Sequence, residues 1–217
     1  DEVISGYGRT GSMFASHALD PDLVLTAKGL TSGYLPMGAV LIAGSVAEPF
    51  WTTPGLMWRH GYTYSGHASA AAAAMANLDI IENDGLVARV AASQVTLGAA
   101  LALLRDHEWV ADVRAGAGLL GAVQISSEVL ASDATVMPRL IAALRERGIL
   151  TRGLADGSVQ VSPPFVITRE ELRRIGAAID DALRGLGSTA RGRRGDAFDP
   201  NASAKVTLLS GSEKQEV

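Results

Sequence analysis

The chain has 217 residues and a net charge of −4, with 47% hydrophobic and 19% charged residues. This composition is typical of a folded globular protein rather than a disordered one. A pI near 5.6 leaves no basic surplus, so nucleic acid is not expected as a partner. No apolar run reaches the roughly 18 residues of a transmembrane helix, so no membrane partner is expected. The absence of cysteine excludes disulfides, thiolate nucleophiles and cysteine-ligated metals. The sequence also lacks the basic stretch followed by an apolar stretch that is typical of a signal peptide, and both features favour a cytoplasmic protein.

Residues 1–85 are predicted to belong to an α/β domain. A short apolar stretch at residues 1–4 is predicted to be the end of a strand that enters a glycine-rich loop. Continuous apolar runs at residues 22–27 and 38–43 are predicted to be buried strands, and because they lack alternation they favour a largely parallel sheet covered on both faces. An alanine-rich stretch at residues 65–84, followed by a glycine, predicts a tightly packed helix.

Residues 86–108 repeat apolar positions at helical spacing and are predicted to form a long connecting helix. Residues 109–187 are predicted to form a small α+β domain, because the order strand, strand, helix occurs there twice. These elements are expected at residues 110–114, 119–125, 135–147, 149–152, 158–161 and 168–186. In the last helix Thr168 is followed three residues later by Glu171, which predicts a capping box. Residues 188–217 are polar and aperiodic and are predicted to be a mostly disordered tail.

Lys28 ends an apolar run and enters a short loop that contains glycines. The carboxyl end of a strand in an α/β sheet faces the crevice where ligands bind. Burying an ammonium group there is costly, whereas a neutral amine can condense with an aldehyde. A lysine that extends from a strand end into water is the alternative that position alone leaves open.

Three further residues carry side chains suited to a ligand site. Asp1 lies beside a predicted strand end and could pair with a protonated ring nitrogen, or it could be a solvated carboxylate. Thr63 precedes the alanine-rich helix, where hydroxyl and N–H groups make an anion site, although Ser65 could simply cap that helix. Arg152 ends a predicted strand, and its guanidinium suits bidentate capture of a carboxylate or a surface ion pair.

Two other features are given no catalytic role. Arg9 lies among glycines whose spacing matches neither the dinucleotide fingerprint nor the nucleotide P-loop, so a structural role is predicted for it. The four histidines lack metal-binding spacing, so no metal is expected.

Four segments, taken in order, resemble the class III aminotransferases of pyridoxal-phosphate (PLP) fold type I. They are DEVISGYGRTG at residues 1–11, LTAKGLTSGYLPMG at residues 25–38, HGYTYSGH at residues 60–67 and SPPFVIT at residues 162–168. The resemblance extends from residue 1 to about residue 186. It implies an α/β protein in which residues 1–85 are part of a mostly parallel-sheet, PLP-binding large domain and residues 109–187 are a small C-terminal α+β domain.

The resemblance also implies roles for individual residues. Lys28 would carry PLP as a Schiff base, Asp1 would pair with the pyridine nitrogen, and Val3 would pack on one face of the ring. Thr63 would reach the PLP phosphate of the neighbouring subunit in a homodimer. Arg152 matches the position that, in the amine:pyruvate (ω-transaminase) branch, binds the acceptor's carboxylate and swings aside for apolar amines. The implied reaction transfers an amino group from an amine or ω-amino acid to a keto acid such as pyruvate.

Two departures from the family pattern are informative. In the ornithine and GABA branches an arginine stands a few residues before the Pro-Pro pair, whereas this chain has Gln160 there. A neutral amide cannot replace that charge, which favours the ω-transaminase-like branch. The family's chains are much longer, and this chain opens on Asp1 without a methionine, so it is expected to be part of a longer parent. The alternatives left open are a catalytically incomplete fragment or non-catalytic half of an assembly and, among enzymes, a PLP-dependent decarboxylase or aminomutase.

Overall fold

The computed structural model describes residues 1–192, with five strands, six α-helices and one 3₁₀ turn. The strands are β1 (Leu23–Thr26), β2 (Ala39–Ile42), β3 (Val110–Ala117), β4 (Leu120–Ile125) and β5 (Ser158–Val161). The helices are α1 (Gly44–Thr52), α2 (Ala68–Asn83), α3 (Leu86–Ala102), α4 (Ser127–Ser132), α5 (Val136–Glu146) and α6 (Arg169–Gly192). None of these helices is by itself long and apolar enough to cross a bilayer, although α2 and α3, which meet at a bend of 62°, reach that length and composition together.

The main core lies between a three-stranded antiparallel sheet and two helices. The strand order is β3-β4-β5, with Val123 of β4 opposite Val113 on one side and Val159 on the other, and all three are buried. The helix α3 packs on β3 and β4, and α6 packs on α3. Both helices bury leucine or isoleucine at intervals of three and four residues, which places these side chains on one helix face. They are Leu97, Leu101 and Leu104 in and just after α3, and Leu172, Ile175, Ile179 and Leu183 in α6.

The strands β1 and β2 form a separate antiparallel pair, in register from Leu23 opposite Ile42 to Thr26 opposite Ala39. The two apolar runs form strands as predicted, but these strands do not pair in parallel with each other, and the prediction that they are buried is wrong. The connection at residues 27–38 holds only a 3₁₀ turn at Lys28–Leu30, whereas a parallel return usually crosses over through an α-helix. Leu23 and its neighbours on this pair remain about half exposed.

Other predicted elements shift or are absent. Residues 1–4 form no strand, and the segment is tied to β1 by one hydrogen bond, from Glu2 N–H to the Leu25 carbonyl (2.8 Å). The alanine-rich helix begins at Ala68 rather than residue 65, because His67 Nδ1 caps it by accepting from the Ala70 N–H (3.3 Å). Residues 149–152 are not a strand, although the segment lies against β5. The Gln160 N–H donates to the Arg152 carbonyl (3.1 Å), the Thr151 hydroxyl donates to the Gln160 carbonyl (2.5 Å), and an isolated bridge joins Gly153 to Val159.

The C-terminal helix begins with the predicted capping box. Thr168 Oγ1 accepts from the Glu171 N–H (3.2 Å), while the Thr168 N–H donates to Glu171 Oε2 (2.8 Å). The helix continues to Gly192, past the predicted boundary at residue 187. The remainder of the predicted tail, residues 193–217, lies outside the described residues.

Arg9 joins the glycine-rich loop to the C-terminal sheet. Its Nη1 donates to the carbonyls of Leu119 (3.2 Å) and Pro163 (2.6 Å), and its guanidinium lies 4.6 Å from the centroid of the Phe165 ring. The Leu119 N–H donates back to the Arg9 carbonyl (3.1 Å). Burial lowers the pKa of Arg9, but an arginine remains charged at neutral pH. These contacts give Arg9 the structural role that was predicted for it.

The loop can reach this position because it carries glycines at the contact points. A Cβ added to Gly8 would lie 3.2 Å from Val87 Cγ2, and one added to Gly11 would lie 3.1 Å from the Ala91 Cα, both on α3. Both glycines also have φ near +90°, a conformation that side chains disfavour. The glycine-rich loop therefore packs between α3 and the C-terminal sheet, which consists of β3, β4 and β5.

Glu2 anchors the start of the chain. It is 2% exposed, and its carboxylate accepts hydrogen bonds from the Ser16 N–H (2.6 Å) and the Ser5 hydroxyl (2.5 Å). Burial by itself raises the pKa of this carboxyl, but the hydrogen bonds from Ser16 and Ser5 outweigh that effect and lower the pKa from 4.5 to about 2. Glu2 is therefore ionised in the folded protein at neutral pH.

The substitution Arg9→Met is expected to lower the free energy of unfolding by about 2–4 kcal/mol, because two buried carbonyls lose a charged donor. Urea unfolding at neutral pH measures this loss. Arg89→Met is the matched control, since Arg89 also donates to two carbonyls of the same C-terminal segment, those of Val166 and Ile167, but is exposed. The control is expected to lose less than about 1 kcal/mol. Equal losses in the two variants would contradict the role given to Arg9.

The substitution Glu2→Gln is expected to lower the free energy of unfolding at pH 7 by about 2 kcal/mol, because a neutral amide accepts weaker hydrogen bonds than a carboxylate. The pKa of Glu2 is depressed in the folded state, so its contribution is complete above about pH 4.5 and is lost as the pH falls towards 2. The difference between the wild-type chain and the variant should shrink over this range in urea titrations at successive pH values. A difference that stays constant would show that the Glu2 charge does not stabilise the fold.

Candidate active site

Lys28 lies in a strained loop that follows β1. It begins the 3₁₀ turn Lys28–Leu30 with a φ of +39°, and Ser32 in the same loop has a φ of +49°. Left-handed backbone is unfavourable for residues other than glycine and persists only where the surroundings hold it. The Lys28 side chain is exposed, and its ammonium has no hydrogen-bond or ion-pair partner among residues 1–192. It is also the only lysine in that range, since the other two are Lys205 and Lys214.

The loop is supported from one side by Tyr7, which is 6% exposed. The Tyr7 hydroxyl donates to Thr26 Oγ1 (3.0 Å), and Thr26 Oγ1 donates to the Ala39 carbonyl on β2 (3.2 Å). Gly29 passes so close to Tyr7 that an added Cβ would lie 3.2 Å from the Tyr7 Cβ. This contact fixes the distance between the Lys28 loop and the glycine-rich loop that contains Tyr7.

The loop is held from the other side by Asn77 of α2, which is 9% exposed. Asn77 Nδ2 donates to the carbonyls of Gly29 (2.8 Å) and Leu30 (3.1 Å), and its Oδ1 accepts from the Ser32 hydroxyl (2.7 Å). Asn77 is not among the site residues predicted from the sequence. The feature of the sequence that could have indicated Asn77 is its position as a single amide on an otherwise apolar helix face. The other buried residues of α2 are Ala70, Ala74 and Ile81.

Asp1 and Val3 lie in a segment that one backbone hydrogen bond, from the Glu2 N–H to the Leu25 carbonyl, ties to β1. Leu25 precedes Lys28 by three residues. Asp1 is exposed, and its Oδ1 accepts from the Val3 N–H (2.7 Å), while Oδ2 has no partner among the described residues. Val3 is half-buried beside it.

Thr63 is not linked to Lys28 within the described chain. It lies in an exposed turn, and no described residue hydrogen-bonds its side chain. The turn is closed by Ser65, whose Oγ accepts from the Tyr62 N–H (3.1 Å) and whose N–H donates to the Tyr62 carbonyl (2.9 Å). Ser65 therefore shapes the turn that carries Thr63 and does not cap α2.

Arg152 lines a cavity of about 940 Å³, and Lys28 is not among the residues that line it. Its Nε donates to Gln160 Oε1 (2.7 Å), and Gln160 Nε2 donates in turn to the Ser162 hydroxyl (3.1 Å). The two terminal nitrogens of Arg152 donate to no described residue. A guanidinium oriented through Nε in this way presents its other N–H groups for a carboxylate. From the sequence, Gln160 only distinguishes between branches of the family, and its contact with Arg152 is not predicted.

No group of three or more metal-ligating side chains occurs in the described part of the chain. Three groups at the predicted positions can act chemically: an unpaired amine at Lys28, a carboxylate at Asp1 and a guanidinium at Arg152. An amine of this kind can bind an aldehyde, and the two charged groups can bind a cationic ring nitrogen and a carboxylate.

Known proteins of similar sequence match most of this chain. The family model for class III aminotransferases covers residues 1–183. The diaminobutyrate–2-oxoglutarate transaminase of Halomonas elongata is 39% identical over 194 aligned positions, and the alignment covers 84% of this chain and 41% of that protein. The omega-amino acid–pyruvate aminotransferase of Pseudomonas putida is 37% identical over 193 aligned positions, and the alignment covers 86% of this chain and 42% of that protein. The chain thus spans about two fifths of the length of these curated relatives.

Solved structures give the same result for the fold. A thermostable (S)-enantioselective omega-transaminase from Thermomicrobium roseum is 36% identical, superposes with a TM-score of 0.77, and is matched over 85% of this chain and 42% of its own. An aminotransferase of Bacillus anthracis is 30% identical with a TM-score of 0.76. These neighbours confirm the predicted PLP fold type I class. The antiparallel strand pairs described above belong to the part of that fold that this chain contains. This chain belongs to the class III aminotransferase family.

Proposed function

We propose that the protein transfers an amino group from an amine or ω-amino acid to a keto acid such as pyruvate, with PLP attached to Lys28. The observation that carries this proposal is Lys28 itself, an exposed and unpaired amine on a strained loop and the only lysine in residues 1–192. Class III aminotransferases depend on PLP, and a primary amine is the group through which proteins bind its aldehyde. The relatives named above are transaminases, which favours amino transfer over decarboxylation or isomerisation.

The side chains around Lys28 fit PLP by their chemistry. Asp1 keeps Oδ2 free while Oδ1 is held by the Val3 N–H, so one carboxylate oxygen is available to a protonated ring nitrogen. Val3 offers an apolar side chain next to that carboxylate. When bound, PLP supplies an electron-withdrawing ring that stabilises negative charge on the substrate carbon.

Each residue then has a task in the reaction. Lys28, once free, is the base that moves a proton on and off the amine-bearing carbon of the substrate, a role that typically contributes about 10²- to 10⁴-fold to the rate. Asp1 keeps the ring nitrogen protonated, because a nearby carboxylate favours the charged form. Arg152 binds the carboxylate of the keto acid through its free N–H groups.

We also propose a homodimer in which Thr63 binds the PLP phosphate of the neighbouring subunit. The Thr63 hydroxyl has no partner among the described residues, so it is available to another chain. Large apolar side chains near Thr63 are exposed, and such patches mark interaction surfaces. They are Trp51, Met57, Trp58, Tyr62 and Tyr64.

A second candidate is a chain that holds Lys28 without completing the cofactor site. The observation that favours it is the half-exposed apolar surface of the β1–β2 pair, together with relatives more than twice as long as this chain. The two candidates differ in whether the chain as given takes up PLP at Lys28.

Incubation with PLP followed by borohydride is expected to leave one phosphopyridoxyl group on the chain, on the peptide that contains Lys28. Intact mass and peptide mapping measure the yield and the position. Lys28→Ala is expected to remove the adduct because no other amine side chain occurs in residues 1–192. Lys205→Ala is the matched control and should retain it. Labelling that falls equally on Lys205 and Lys214 would refute a specific site at Lys28, and an unlabelled wild-type chain would favour the second candidate.

The substitution Arg152→Ala is expected to raise the KM for pyruvate at least about tenfold, because a charge-assisted bidentate contact with the carboxylate is lost. Steady-state transamination with pyruvate measures this change. The kcat/KM for propanal, an acceptor without a carboxylate, should stay within about twofold of the wild-type value.

Arg174→Ala is the control variant for this experiment. Arg174 lines the same cavity, but it donates to the Arg147 carbonyl (3.2 Å). Its loss should leave the KM for pyruvate unchanged. Equal effects of Arg152→Ala on pyruvate and propanal would exclude Arg152 as the carboxylate-binding residue.

A further inference from the structure

We infer that Asn77 is a positioning residue for Lys28. Asn77 holds the Lys28 loop in the conformation that directs the Lys28 amine towards PLP. The inference rests on the proposed attachment of PLP to Lys28. Asn77 lies on α2, 49 positions along the chain from Lys28, and it does not contact the Lys28 side chain. Its effect is exerted through the backbone of the loop.

The hydrogen bonds of Asn77 reach one strained residue of the loop, Ser32, and the two residues that follow the other, Lys28. The carbonyls that accept from Nδ2 belong to Gly29 and Leu30, the two residues that directly follow Lys28. The hydroxyl that donates to Oδ1 belongs to Ser32, which besides Lys28 is the non-glycine residue of the loop with positive φ. One buried amide therefore joins Ser32 to the backbone that directly follows Lys28.

These bonds bear on the direction of the Lys28 side chain. A non-glycine residue with positive φ returns to the right-handed or extended region unless its neighbours are held in place. Such a change would rotate the Cα–Cβ bond of Lys28 and displace the amine at the end of its long side chain. The two donor bonds from Nδ2 fix the peptide groups on the C-terminal side of Lys28, while the contact between Gly29 and Tyr7 limits movement on the opposite face.

The role of Asn77 is separable from the packing of its helix. The other buried residues of α2 are apolar, and Ile81 and Ala74 belong to the cluster that contains Tyr7 and Leu30. A change confined to the amide therefore removes the hydrogen bonds to the loop and leaves these apolar contacts in place. Asn83, on the same helix but exposed, offers a control position for the same substitution.

The test compares Asn77→Asp and Asn77→Leu with Asn83→Asp in the full chain. Aspartate keeps the size of the side chain but cannot donate to the Gly29 and Leu30 carbonyls, and leucine removes the donors without adding charge. In both Asn77 variants, PLP trapped at Lys28 by borohydride should fall at least tenfold, while Asn83→Asp should match the wild-type chain. Reductive methylation of Lys28 by formaldehyde, which needs no binding site, should stay within twofold. A general loss of structure is not expected to lower the trapping of PLP at Lys28 while leaving the methylation of Lys28 by formaldehyde unchanged.

Amide hydrogen exchange gives a readout that does not depend on PLP. In the Asn77 variants the amides of residues 28–33 should exchange at least tenfold faster, while those of β4 should be unchanged. If the wild-type chain traps no PLP at Lys28, the proposed function fails, and the exchange data still decide whether Asn77 holds the loop. Trapping and exchange that equal those of Asn83→Asp would overturn the inference. Faster exchange throughout the chain would also overturn it, since Asn77 would then be a general stabilising residue.

Discussion

The guanidinium of Arg9 is the contact on which the arrangement of the two parts of the chain depends. It donates to carbonyls of Leu119 and Pro163, which come from distant parts of the sequence, and it lies over the ring of Phe165. Because the glycines on either side allow the loop to approach α3 closely, the N-terminal segment is held against the C-terminal sheet. Tyr7, two residues before Arg9, then supports the Lys28 loop. The position of the candidate site thus follows from the contacts of a structural arginine.

The Lys28 loop shows how a reactive side chain can be held by groups that do not react. Its backbone is strained at two positions, and strain of this kind is kept only when surrounding contacts specify the conformation. Tyr7 and Asn77 provide those contacts from two sides, and both are buried. The amine itself stays exposed and unpaired. Rigid surroundings with a free functional group are the arrangement that a covalent cofactor site requires.

Features that depend on local sequence could be predicted, and those that depend on distant pairing could not. The capping box of Thr168 and the position of Lys28 after an apolar strand are properties of a few adjacent residues. The direction of pairing between β1 and β2 does not depend on adjacent residues alone. Apolar runs indicate burial but carry no information on strand direction. The contacts of Asn77 and Gln160 require the register of α2 against the Lys28 loop and of residue 152 against β5. Thr63 and Lys28 remain unconnected in the described chain, so their predicted cooperation depends on a second subunit.

A crystal structure of the chain grown with PLP would show whether Lys28 carries the cofactor. We expect electron density for PLP that is continuous with the Lys28 side chain, the Asp1 carboxylate at the ring nitrogen, and unchanged hydrogen bonds from Asn77 to the Gly29 and Leu30 carbonyls. Cofactor density joined to another residue, or an ordered Lys28 that points away from a bound PLP, would contradict this expectation.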